Sequence, residues 1–111
     1  MSETGTNAGT WTILSNHGHA LIYLVREPDI RIWELAQRLD IRERSAQRIV
    51  TELVEAGYVT RHPHPTHGSR VTYTVDRSKG LRRPDLNPIA IGDLLDTIIP
   101  RLSEASGSAA E

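Results

Sequence analysis

Through the first half of the chain, apolar residues return every three or four positions; in the third quarter they alternate with polar ones. The first rhythm is that of a helix with one buried face, and the second is that of a strand. In "NHGHALIYLVREPD", Ala20, Leu21, Leu24 and Val25 share one helical face. Ser15 or Asn16 can cap its start and Pro28 stops it, while Gly18 weakens the first turn. The preceding "TWTIL" predicts a further short helix. After an extended connector, Asp29-Ile30-Arg31, "RIWELAQRL" predicts a second helix with Ile32, Leu35, Ala36 and Leu39 as its stripe. "RERSAQRIVTELVEAGYV" carries a third, with Ala46, Ile49, Val50 and Leu53 inward and Gly57 as a left-handed terminator. The connection between the second and third helices, Asp40 to Glu43, is short enough to force a sharp angle, the geometry of a helix-turn-helix.

"YVTRHP" and "SRVTYTVD" then alternate and are rich in β-branched and aromatic residues, with a proline- and glycine-containing loop between them. They predict a β-hairpin in which Val71, Tyr73 and Val75 share one face and Arg70, Thr72 and Thr74 the other. Finally, Asn87 is expected to cap "PIAIGDLLDTIIPRL", with Pro88 at the first helical position and Pro100 ending or kinking the last turn. Ile91, Leu94, Leu95, Ile98 and Leu102 form its wide apolar stripe. This stripe either docks on a second copy of the chain or packs back on the first helix. The predicted fold is mainly α with a small β-hairpin wing (α+β), a winged helix-turn-helix plus a C-terminal helix. Residues 1–9 and 103–111 read as flexible ends, 10–83 as the winged unit, and 84–102 as the added helix.

Composition narrows the functional classes. The chain of 111 residues suits one domain, and without cysteine it has neither disulfides nor thiolate metal sites. With no signal pattern and no apolar run of membrane-spanning length, the expectation is a soluble cytoplasmic protein. With no phenylalanine, the core must come from aliphatic residues, helped by Tyr23 and Trp33 at or near it. The net charge of -1 looks wrong for a nucleic-acid binder, but its distribution does not. Residues 42–83 carry eight Arg and one Lys against four acids, whereas 1–41 and 84–111 are both net acidic. A local patch, not the total, steers an anionic partner.

The third predicted helix concentrates the candidate chemistry. Opposite its buried stripe stand Arg44, Gln47, Arg48 and Thr51, at offsets of three, four and seven. Arginine suits guanine and glutamine suits adenine in the major groove. Such a face on an isolated helix is ordinarily solvated, with Glu43 and Arg44 making local pairs; the preceding helix, short turn and hairpin favour DNA contact. Arg42, in the turn, suits a phosphate, and Ser45 helps satisfy the helix start. On the wing, Arg61, His64, His67, Ser69 and Arg70 are candidates for the DNA backbone or minor groove. The three histidines at 62, 64 and 67, with the pair at 17 and 19, raise a metal-responsive reading, but no thiolate or acid completes either set. No phosphate-binding glycine loop, nucleophile elbow or paired catalytic acids occur, so neither an enzyme nor a cofactor is expected.

"NHGHALIYLVREPD", "RERSAQRIVTELVEAGYVTR" and the hairpin together resemble the small MarR-type winged-helix transcriptional regulators common in actinobacteria. The resemblance covers residues 11–77; the wing "HPHPTHGSR" departs from it, being richer in proline and histidine than the usual basic turn. It implies a homodimer on a pseudo-palindromic operator in double-stranded DNA, with Pro88–Leu102 as the dimer element. The sequence therefore points to a DNA-binding transcriptional regulator. The alternatives are a winged-helix module that binds protein instead of DNA, and a regulator responding to a metal or small-molecule effector.

Overall fold

The computed structural model describes residues 11–110, with side chains described through residue 105. The expectation of a loose segment at 1–9 lies outside the described residues. The elements are α1 (Asn16–Arg26), α2 (Ile32–Leu39), α3 (Glu43–Glu55), β1 (Val59–Pro63), β2 (Val71–Val75) and α4 (Ile91–Ala110). The strands form an antiparallel pair in which Val59 faces Val75 and Arg61 faces Tyr73. This is a winged helix-turn-helix with an added helix, as its periodicities predict.

One core joins all of it. Ala20, Leu21 and Leu24 from α1, Leu35 from α2, Ile49, Val50 and Leu53 from α3, Tyr73 from β2, and Ile91 and Leu95 from α4 belong to a single buried cluster. Leu24, Leu35, Val50 and Leu95 are fully buried, so the apolar stripes of four helices converge at one place. The final helix does pack back on α1 through Ile91 and Leu95, while Leu94 stays 37% exposed.

The helix ends follow from local chemistry. Ser15 adopts an extended backbone and its Oγ accepts the Gly18 amide at 3.2 Å. That cap starts α1 and forbids helix before it. Over residues 11–14, the described part of the predicted "TWTIL" helix, no helix forms, and Trp11 and Ile13 are exposed. In α2, Glu34 reaches back to accept the Arg31 amide at 2.9 Å. Both motif helices close in the same way. The Ile41 amide donates to the Ala36 carbonyl and that of Asp40 to Gln37; after α3, Tyr58 donates to Leu53 and Gly57 to Val54. Each pair of bonds needs one left-handed residue, here Asp40 (φ 58°) and Gly57 (φ 88°). Trp33, expected at or near the core, is 44% exposed: it follows Ile32 on the solvent side of a short helix whose inward positions are already filled.

The start of α4 corrects the sequence reading. Asn87 is not its cap; its Nδ2 donates to the Leu81 carbonyl at 3.0 Å. Gly80 and Ala90 form an antiparallel bridge, and the Leu81 amide donates to Ile89, so the chain just after Pro88 is held in a loop. The first amides of α4, Ile91 and Gly92, donate to the Lys79 and Arg77 carbonyls at 2.7 and 2.8 Å. Backbone thus replaces the side-chain cap. A Cβ on Gly92 would stand 2.7 Å from the Arg77 oxygen, so this approach requires glycine. Nor does Pro100 end the helix, which runs through it to Ala110. Proline loses its own donor to the Asp96 carbonyl and its ring crowds that oxygen, but both residues lie on the exposed side, where water can serve it.

Arg38 of α2 grips Glu27, the C-cap of α1, with Nη2 donating to Oε1 at 3.0 Å and Nη1 donating to Oε2. The Arg38 hydrogen bond holds the Glu27 carboxyl below the usual range. A depressed acid stabilises the fold above its unfolded pKa, and that contribution fades as pH falls through the folded value. Glu27→Gln should therefore cost about 0.5 kcal/mol in urea unfolding at neutral pH, since the pair is well exposed, and progressively less as pH falls through the folded pKa. Gly57→Ala should cost about 1–2 kcal/mol in the same assay, because alanine resists the left-handed backbone.

Candidate nucleic-acid interface

Burial divides α3 into two faces. Ala46, Ile49, Val50 and Leu53 are buried, while Arg44, Gln47 and Arg48 are exposed and Thr51 is half-buried beside them. The outward row is as the offsets predict. Arg42 occupies the N-cap without a side-chain cap bond; its carbonyl accepts the Ala46 amide at 3.0 Å. Glu43 is exposed in the first turn, which suits the positive end of the helix dipole, and Ser45 is half-buried. Among the described residues, no acidic side chain pairs with Arg42, Arg44 or Arg61. Arg48 has a loose partner in Glu52, at 3.7 Å, and remains 63% exposed. The other oxygen of Glu52 accepts from His17 Nε2 at 2.7 Å, so α1 anchors the acid that Arg48 shares.

The wing is joined to this face. Arg61 of β1 donates from Nη2 to Thr51 Oγ1 at 3.2 Å, and Gln47 Nε2 donates to the same oxygen at 3.4 Å. Gln47, Thr51 and Arg61 thus form one polar row across helix and strand.

The remaining wing candidates divide. His67 and Ser69 are exposed at the tip. His64 and Arg70 turn inward to the α1–α2 connector. Arg70 Nη2 donates to the Asp29 carbonyl at 2.6 Å. His64 Nδ1 accepts the amides of Thr66 and His67, each at 3.2 Å, so its proton resides on Nε2, which donates to Asp29 Oδ2 at 3.3 Å. The His67 ring lies 5.0 Å from that of His64. The Tyr73 amide completes the tether by donating to Pro28 O at 2.9 Å. The Thr72 hydroxyl, followed by His64 and Arg70, holds the Asp29 carboxyl below its usual range. Both nitrogens of His64 are engaged, Nδ1 by the wing loop and Nε2 by Asp29, His62 Nε2 bonds the Thr74 hydroxyl at 2.6 Å, and no group of three or more potential metal ligands assembles among the described residues.

Asp29 was missed by sequence reasoning. Its partner His64 is 35 residues away, and no local pattern announces the pair.

The geometry sets α3 and the wing on one side of a helix-turn-helix, and comparison with known proteins gives this arrangement a family. The MarR family profile matches residues 12–68, just over half the chain. The chain belongs to the MarR family. A comparison with curated protein sequences finds no significant match. Among solved structures, this MarR-family chain is similar to Streptococcus pneumoniae FabT in complex with DNA, at 14% identity and a TM-score of 0.54, over 96% of this chain and 64% of that one. It is similar to the S. aureus MepR–DNA complex at 13% identity and TM-score 0.53, over 94% and 68%. It is also similar to RV1404 of Mycobacterium tuberculosis at 25% identity and TM-score 0.52, over 87% and 61%. These likenesses bear out the winged-helix fold. The chain spans less than two thirds of the FabT and RV1404 chains. No helix among the described residues is long and apolar enough to cross a membrane.

Replacing His64 with Ala should speed amide exchange at Thr66 and His67 by about tenfold, the loss of one good acceptor, while leaving core amides unchanged in NMR exchange experiments.

Proposed function

We propose that this chain is a cytoplasmic, non-enzymatic transcriptional regulator that binds double-stranded DNA in a sequence-specific manner. Its winged unit, residues 10–83, places α3 in the major groove and the wing on the adjoining backbone or minor groove. The observation that carries this reading is the outward row of α3, where Arg44, Gln47 and Arg48 stand exposed beside Thr51 and run on into Arg61 of the wing. Arg44 and Gln47 supply base contacts, with Arg48 alongside, and Arg42 at the N-cap reaches a phosphate. Glu43 and Ser45 border that first turn. On the wing, Arg61, His67 and Ser69 face outward to the duplex, while His64 and Arg70 serve chiefly by holding the hairpin in place. The MarR-family match and the DNA-bound FabT and MepR structures support the same assignment.

The segment 84–102 supplies the contact for a homodimer. In support, Leu86, Ile89 and Leu94 remain 45%, 49% and 37% exposed beside the part of α4 that faces the core. Two protomers would then read half-sites about one helical turn apart.

Duplexes selected from a random pool provide the test, read by fluorescence anisotropy at two salt concentrations. The parent should lose affinity steeply with salt, because its arginines release counterions. The double variant Arg44→Ala, Arg48→Ala should bind the selected duplex at least about tenfold more weakly, with a shallower salt slope. Equal binding by parent and double variant would refute the placement of α3.

A further inference from the structure

We propose that Thr51 is a positioning residue for base recognition: its hydroxyl, held between Gln47 and Arg61, fixes which end of the Gln47 amide faces the DNA. This rests on the reading of α3 as the groove-entering helix. Thr51 lies one turn after Gln47, half-buried, and in a helix its β-branched side chain is confined largely to two χ1 rotamers. Its oxygen accepts from Gln47 Nε2 at 3.4 Å and from Arg61 Nη2 at 3.2 Å. A hydroxyl oxygen has two acceptor positions, and both are taken.

The consequence falls on Gln47. With one Nε2 proton committed to Thr51, the amide presents its oxygen and its second N–H outward. That ordered acceptor and donor are the complement of the adenine N6 amino group and N7. A free glutamine would present the two in either order, because rotating the amide exchanges them. Thr51 removes that freedom without touching a base. Arg61 strengthens the arrangement from the other side, since β1 carries it against Thr51 at the register position opposite Tyr73. Adenine preference at the Gln47 position is therefore set by a residue of the second outward turn and by the wing strand together.

The test compares parent, Gln47→Ala, Thr51→Val, Thr51→Ala and Thr51→Ser, each checked for an unchanged thermal melt. Each is put through selection from one randomised duplex pool, then through anisotropy with single-base variants of the enriched site. Gln47→Ala should abolish one adenine preference. Thr51→Val, of nearly the same shape, should weaken that same preference by about tenfold, while the salt slope and the preferences at other positions persist. Thr51→Ser, which keeps the hydroxyl, should restore it. Thr51→Ala supplies the same comparison if valine disturbs the helix. The proposal is overturned if both hydroxyl-free variants retain the parental adenine preference, or if Gln47→Ala does. A parent that enriches no sequence at all refutes the proposed function instead, and this inference with it.

Discussion

Burial of four side chains, Ala46, Ile49, Val50 and Leu53, determines everything that α3 offers to a partner. A helix has one rotation about its axis to choose, and the core chooses it. Once Ile49, Val50 and Leu53 share a buried cluster with Leu24 and Leu35, the row at 44, 47, 48 and 51 has no other direction to face. Burial of Ile49, Val50 and Leu53 stabilises this rotation by about 1.5–3 kcal/mol each, so no surface charge pair competes with it. Helix orientation is thus settled by hydrophobic burial, and recognition chemistry is placed on whatever remains.

The same logic explains what the sequence made legible. Three helices and the hairpin follow from periodicity because each has one face in the common core, and repeated burial leaves a repeated pattern. Ser15 and Gly57 were readable because a cap and a left-handed terminator are local requirements. The start of α4 was not, because its amides are satisfied by the carbonyls of Arg77 and Lys79, and a backbone acceptor has no residue signature. Asn87 and Pro88 look like a helix start and are used in a loop. Of the two outcomes expected at Pro100, an end to the helix does not occur: solvent can satisfy the exposed carbonyl that loses its bond.

The candidate site was half legible. Which face of α3 carries arginine and glutamine could be counted along the chain. Which basic groups are already engaged within the fold could not. Arg38 is held by Glu27 across 11 residues, Arg77 by Asp96 across 19, and Arg70 by a carbonyl 41 residues away. All three contribute equally to a charge count, yet none has the freedom of Arg44. Arg70 and Arg77 belong to residues 42–83, so the basic surface is smaller and more sharply placed than the excess of positive charge there suggests.

The hydrogen bond from Arg61 to Thr51 ties α3 to the first wing strand, so helix and strand keep a set spacing like the jaws of a caliper. Under the proposed function, jaws set during folding would meet a fitting duplex without the protein having to rearrange, and a duplex of the wrong groove width would have to deform or be rejected. Discrimination of this kind acts on the shape of the DNA between the contacts, at base pairs that no side chain reaches.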